Sequence, residues 1–163
     1  FPGSSIGNFE PSQAQDLLQR VAQLLGIDGA LLVGVDLKKD SERLNAAYND
    51  AQGVTAAFNL NLLTRINREL DANFELAQFK HHAFYNPKKG RIEMHLVSNN
   101  SQEVQVDEQI FDFAKGESIH TESSYKYTVT QFRDMAQQAG FQTEQVWTDD
   151  SNLFSVHCLR VNK

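Results

Sequence analysis

Ala30-Leu31-Leu32-Val33-Gly34-Val35-Asp36 is an unbroken apolar run closed by a carboxylate. Continuous apolar character, without the alternation of a half-solvated strand, predicts a parallel β-strand covered on both faces. Asp36 then falls at the carboxyl edge of a sheet, where open α/β sheets hold their ligands. Working upstream, Pro11-Ser12-Gln13-Ala14-Gln15 opens a helix, and Ser12 and Gln15 have capping-box spacing. Leu17, Leu18, Val21, Leu24 and Leu25 fall on one helical face, and Gly26 sits where a left-handed cap ends a helix. Before the helix lies a Gly/Ser-rich turn, Phe1 to Phe9, of the kind that follows a buried strand. No Met begins the chain, and this opening predicts a fragment of a longer protein.

Downstream of Lys38-Lys39-Asp40 the character changes. Asn49 and Asp50 are placed to cap a long helix whose apolar positions Val54, Phe58, Leu62, Ile66 and Leu70 recur every four residues. From Phe79 to about Tyr127 the pattern is that of strands. Ile92, Met94 and Leu96 alternate with Arg91, Glu93 and His95, as in a half-buried antiparallel strand. Ser98-Asn99-Asn100-Ser101 is a turn cluster, and Val104 and Val106 alternate after it. Thr128 and Gln131 then form a second capping-box spacing, Phe132, Met135 and Ala136 give a helical stripe, and Gly140 can end it. Strands over 142–148 and 153–161 follow, joined by Asp149-Asp150-Ser151-Asn152. The order implies three segments: 1–38 in a Rossmann-like sheet, 39–127 as an inserted sub-domain, and 128–163 returning to the sheet.

Composition narrows the partners. The 163 residues carry a net charge of -6, which argues against nucleic acid or an anionic membrane. No apolar run approaches the roughly 20 residues that span a bilayer, and no signal-peptide pattern opens the chain. The single cysteine, Cys158, excludes an internal disulfide and fits a reducing, cytoplasmic setting; it reads as a buried small hydrophobe. His81 and His82 are adjacent, so on a strand they point to opposite faces, and His95, His120 and His157 match no zinc spacing, so no metal site is expected.

Four ordered stretches carry a family resemblance. They are Phe1-Pro2-Gly3-Ser4-Ser5-Ile6-Gly7-Asn8-Phe9, Ala46 to Asn59 (AAYNDAQGVTAAFN), Arg91-Ile92-Glu93-Met94, and Thr121-Glu122-Ser123-Ser124-Tyr125-Lys126. In order and with short spacers, they resemble the histidine-specific, S-adenosylmethionine-dependent methyltransferases of the ergothioneine pathway. The resemblance implies the C-terminal half of a class I, Rossmann-like α/β methyltransferase with an inserted α+β substrate-binding sub-domain. It also implies methylation of the α-amino group of L-histidine to the betaine hercynine, with S-adenosylmethionine as donor. A sulfonium is already an activated electrophile, so the protein's task is to present a neutral amine in line with the methyl group. Holders are expected rather than a catalytic residue.

The resemblance implies those holders residue by residue, and each has a plainer reading. Gly3 and Ser5 would line the pocket, or merely connect strand to helix. Asn8 would hold the amino and carboxylate end of histidine, or cap the following helix. Tyr48 would bind the carboxylate, or pack. Phe58 would line the pocket and face the growing cation, or belong to the core. Met94 would touch the imidazole, or fill the core. Glu122 and Ser124, two apart, would both face the imidazole; without the resemblance they read as solvated surface. A carboxylate suits a ring N–H and disfavours an indole. Methylation of another amino acid or an indole amine on the same fold, or a non-catalytic binding module, are the competing readings.

A class I methyltransferase holds its donor with a Gly-rich turn after the first strand and an acidic residue after the second. Neither is found here, and Gly26-Ile27-Asp28-Gly29 reads only as a helix-to-strand loop. The isolated chain is therefore expected neither to bind S-adenosylmethionine appreciably nor to methylate. The sheet edge and apolar faces this leaves open would favour a homo-oligomer.

Overall fold

A computed structural model describes residues 1–162. In chain order the elements are α1 (Pro11–Leu25), β1 (Ala30–Asp36), α2 (Ser41–Tyr48), α3 (Val54–Glu69), β2 (Phe79–Asn86), β3 (Arg91–Ser98), β4 (Gln102–Val106), β5 (Gln109–Phe113), β6 (Ser118–Tyr125), α4 (Val129–Gln138), β7 (Phe141–Thr148) and β8 (Phe154–Val161). They divide into two compact units. Phe1–Asp40, Asn86–Ile92 and Ser123–Lys163 form the first; Ser41–Tyr85 and Glu93–Glu122 form the second.

The first unit is built on a sheet of order β1-β8-β7. β1 pairs antiparallel with β8, Ala30 opposite Arg160 through Asp36 opposite Phe154. This corrects the parallel direction expected for the run: unbroken apolarity reports burial, and direction is set by a partner far along the chain. Leu32 is 56% exposed, so coverage is also incomplete. On the edge away from β8, the Phe1 amino group donates to the Leu32 carbonyl at 2.8 Å, and the Gly34 N–H donates to the Phe1 carbonyl at 3.1 Å. A parallel contact appears past the strand's end, as the isolated bridge Leu37 to Tyr127. β7 and β8 form the expected antiparallel hairpin, with an irregularity between Thr143 and Gln145. Asp149 shapes its turn by accepting from the Leu153 and Phe154 N–H groups.

Helix α1 starts at Pro11, the position where a missing N–H does no harm. The capping partners are Glu10 and Gln13, not Ser12 and Gln15; the Gln13 side-chain oxygen accepts from the Glu10 N–H at 3.2 Å. The buried face is Ala14, Leu18 and Ala22, flanked by Leu17 and Val21, while Leu24 is 86% exposed. The expected leucine stripe is thus rotated towards the small residues. Helix α4 follows the sequence: the Thr128 hydroxyl accepts from the Gln131 N–H, and Phe132 and Ala136 are fully buried. Both helices bury these faces in one cluster with Ile6, Val33, Val35, Tyr127, Phe141 and Leu159.

The second unit holds α2, α3, the ribbon β4-β5 and part of the sheet β2-β3-β6. Its core is Leu63, Phe74, Phe79, Leu96 and Val104, with Phe79 edge-on to both Phe74 and Phe113. Helix α3 begins after Gly53, held at φ +71°, and the Asp50 carboxylate accepts from the Val54 and Thr55 N–H groups. Those bonds, with the Thr55 hydroxyl foremost, hold the Asp50 carboxyl down at about 2. The four-residue spacing misplaced the buried face of α3. Asn59 and Leu63 are buried, whereas Val54 and Phe58 are each 63% exposed. Central strand β3 is not half-buried: Arg91 and Glu93, on its polar positions, are 5% and 7% exposed. Helix α2 and strand β5 carry no apolar periodicity strong enough to be read from sequence.

Candidate functional site

In the first unit, the opening turn is shaped by two left-handed residues, Gly3 at φ +76° and Ser4 at φ +57°. The Ser4 hydroxyl accepts from the Asp36 N–H at 2.8 Å, tying the turn to the end of β1. Ile6 anchors the turn in the core. At Gly7 a Cβ would stand 2.7 Å from the Tyr125 carbonyl oxygen, so only glycine lets the turn approach β6 this closely. Gly3, Ser5 and Asn8 are left exposed around this anchor. Asn8 ends the short 3₁₀ turn and does not cap α1, a role Glu10 takes.

Two networks underlie this turn. Arg91 donates to a Glu10 carboxylate oxygen at 2.6 Å and to the Tyr125 hydroxyl at 2.8 Å, and the Tyr125 hydroxyl donates to the other Glu10 oxygen. The Arg91 guanidinium also lies 5.3 Å from the Tyr125 ring centre. The bond from Tyr125 chiefly holds the Glu10 carboxyl below its ordinary range, and burial, with that same bond, pushes the Tyr125 phenol up.

The second network centres on Lys126, whose side chain is 1% exposed. Its ammonium meets the Asp36 carboxylate at 2.7 Å and donates to the Ser124 hydroxyl at 2.9 Å, while Lys39 takes the other Asp36 oxygen. The carboxylate at the end of β1 thus holds a buried cation that reaches Ser124, itself buried.

In the second unit, Tyr48 is the last residue of α2. Its carbonyl lies 2.8 Å from His81 Nε2, and His81 Nδ1 lies 3.0 Å from the Asn59 amide nitrogen. The amide is a donor, because it also gives a hydrogen bond to the His95 carbonyl at 3.1 Å. His81 Nδ1 is therefore the acceptor and Nε2–H the donor to Tyr48, which fixes the tautomer. A fully buried asparagine on α3 thereby holds the end of α2 through an imidazole on β2. Phe58 is exposed on the same helix. Met94 is buried on β3, its carbonyl accepting from the Thr121 hydroxyl at 3.0 Å. Glu122 is half-buried on β6, and its backbone carbonyl accepts from His120 Nε2–H at 3.0 Å.

Sequence spacing also hid a group that could hold a cation. Glu93, His95 and His120 offer ligand atoms within 4.8 Å of one another. His95 Nε2 is buried without a hydrogen-bond partner, 3.6 Å from the Glu93 carboxylate, and burial lowers the His95 pKa. The His95 and His120 rings are stacked with planes 12° apart, so their in-plane lone pairs do not aim at one point. A bound ion would need His120 to swing out. At the other end of the chain, Cys158 is half-buried rather than core, its sulfur 3.7 Å from the Glu144 carboxylate.

Comparison with known proteins gives this arrangement its family. Residues 1–161 match the family described as histidine-specific methyltransferase, SAM-dependent. The chain belongs to the histidine-specific, SAM-dependent methyltransferases. It is 42% identical over 159 residues to the histidine N-alpha-methyltransferase of Mycolicibacterium smegmatis, covering 96% of this chain and 49% of that protein. To the enzyme of the same name from Mycobacterium tuberculosis it is 39% identical over 158 residues, again 96% of this chain and 49% of the relative. The chain thus spans about half the length of the relatives it matches. The CcbJ methyltransferase structure from Streptomyces caelestis shares the fold at a TM-score of 0.50 and 13% identity, over 98% of this chain and 58% of that one. Among the described residues, the tight glycines serve packing: beyond Gly7, a Cβ on Gly34 would stand 2.8 Å from the Phe154 ring, and one on Gly29 would meet Leu25 at 2.6 Å. Among the described residues no helix is long and apolar enough to cross a membrane.

Proposed function

We propose that the protein carrying this chain methylates the α-amino group of L-histidine, and that this chain supplies the side of the site that holds the amino acid. The observation that carries the reading is the 42% identity, across nearly the whole chain, to a histidine N-alpha-methyltransferase. Asn8 and Tyr48 hold the amino and carboxylate groups, Glu122 and Ser124 meet the imidazole, and Gly3, Ser5, Phe58 and Met94 line the pocket. S-adenosylmethionine supplies an already activated methyl group, so no residue here is asked to act as a nucleophile. The work left to these side chains is to keep the amine neutral and aligned and to exclude water. The exposed ring of Phe58 suits that work, since an aromatic face accommodates an amine that becomes a quaternary cation.

Glu122 favours histidine over an indole amine, because an imidazole is polar at both ring nitrogens, whereas a carboxylate set against the benzo ring of an indole would be desolvated without a partner. The test is methyl transfer by the complete gene product to L-histidine and L-tryptophan, followed by mass spectrometry. Addition of three methyl groups to histidine is expected. Transfer to tryptophan but not histidine would overturn the assignment.

A further inference from the structure

Arg91 and Tyr125 stand in two of the four family stretches, yet the reading above gives neither of them a task. We infer that Tyr125, with Arg91 behind it, is a positioning residue for Asn8: it grips the opening turn on both sides of that asparagine and so holds the amide where the amino and carboxylate groups of the substrate arrive. The inference rests on the proposed contact of Asn8 with histidine.

Asn8 is exposed and closes the short 3₁₀ turn Ser5–Asn8. One such turn has too few hydrogen bonds to hold itself, so the Asn8 amide is placed only as well as the chain on either side of it. Just before Asn8, Gly7 lies against the Tyr125 backbone, where a Cβ would stand 2.7 Å from the carbonyl oxygen and 3.4 Å from the nitrogen. Just after it, Glu10 is tied to the Tyr125 side chain. The Tyr125 hydroxyl donates to one Glu10 oxygen, while Arg91 donates to the other at 2.6 Å and to the phenol oxygen at 2.8 Å. The phenol thus spends its proton on Glu10 and a lone pair on Arg91. Both Glu10 oxygens are engaged, so the carboxylate is fixed in rotation as well as in place. The Arg91 side chain is 6% exposed and the Glu10 side chain 52%, so the anchor lies inside and the held end at the surface. A residue that only packed beneath Gly7 would do so as phenylalanine; the hydroxyl has work to do only on Glu10.

The consequence is a coupling between two residues of which only one meets the substrate. Methyl transfer to L-histidine by the complete gene product is followed by mass spectrometry for the wild type, Tyr125→Phe, Asn8→Ala and the double variant. Tyr125→Phe keeps the ring and the backbone beneath Gly7 and removes only the grip on Glu10. If the turn then spends about a tenth of its time in the competent position, KM for L-histidine rises about tenfold while kcat stays within about twofold. Asn8→Ala should lower kcat/KM about tenfold or more, and adding Tyr125→Phe to it should change kcat/KM by less than about twofold, because the turn then has no amide to place. A residue with a merely structural role would cost as much in the Asn8→Ala background as in the wild type. Equal costs in the two backgrounds therefore overturn the inference, as does an unchanged KM in Tyr125→Phe. Where Asn8→Ala leaves no measurable transfer, the KM of Tyr125→Phe decides alone. Should Tyr125→Phe fail to fold, Glu10→Ala removes the same tie from a half-exposed side chain and takes its place with the same expectations. Asn8→Ala as active as the wild type would overturn the contact of Asn8 with histidine, and the inference with it. No transfer to histidine by the wild type overturns the histidine reading itself.

Discussion

His157 on β8 is fully buried, with its ring 4.8 Å from that of Phe132. The Ser155 hydroxyl donates to the Val35 carbonyl, so it accepts from His157 Nε2–H at 2.9 Å. That leaves Nδ1 bare, buried and without a partner. Protonating Nδ1 would bury a cation with a new, unsatisfied N–H, and burial accordingly lowers the pKa from 6.5 to about 4, with Arg133 adding a smaller push. The unfolded chain binds a proton near pH 6.5 and the folded one only near 4. The stabilisation is therefore complete above pH 6.5 and is lost as pH falls towards 4. The full difference is about 3 kcal/mol, and between pH 7 and 5 about 2 kcal/mol should disappear on account of this ring alone. Urea unfolding at pH 7 and pH 5, comparing the wild type with His157→Phe, measures it. Phenylalanine keeps the tilted ring contact with Phe132, and Ser155 keeps Val35, so the variant should lose about 2 kcal/mol less on acidification. Equal losses in the two proteins would refute the assignment of the acid sensitivity to His157.

Other consequences are as direct. Gly7→Ala sets a methyl group 2.7 Å from the Tyr125 carbonyl oxygen and should destabilise the first unit by about 2 kcal/mol or more; an unchanged melting temperature would contradict the close approach. The Tyr127 hydroxyl is buried with no partner, and burial pushes its pKa up to about 12, so Tyr127→Phe should be neutral or stabilise by up to about 1 kcal/mol in thermal melts, and a clear loss would reveal a bond to it. His81→Phe removes the N–H that holds the Tyr48 carbonyl; in the complete gene product KM for L-histidine should rise about tenfold with kcat less affected, and an unchanged KM would remove Tyr48 from the site. Calorimetry of the 163-residue chain with S-adenosylmethionine should show no binding, and a micromolar affinity would mean that a donor site exists among these residues.

What could be read from the chain alone was whatever depends on neighbours a few residues away. The Thr128–Gln131 box, the Gly26 and Gly140 helix ends and the strand character of Ala30–Asp36 all follow from local geometry, and all are present. The four ordered motifs likewise placed the chain in its family, because several signatures in register are hard to produce by chance. Tertiary structure alone decided what depends on distant partners. Whether β1 runs with or against its neighbour depends on β8, more than a hundred residues on, and apolarity carries no sense of direction. Val54, Phe58 and Leu70 promised a buried face on α3, but the buried position went to Asn59, whose amide satisfies His81 and the His95 carbonyl and so bears burial in a way that composition cannot foretell. Lys126 is the same case in charge. A lysine reads as solvated surface until the carboxylate at the end of β1 and a serine near the end of β6 are brought within 3 Å, where paired burial replaces hydration.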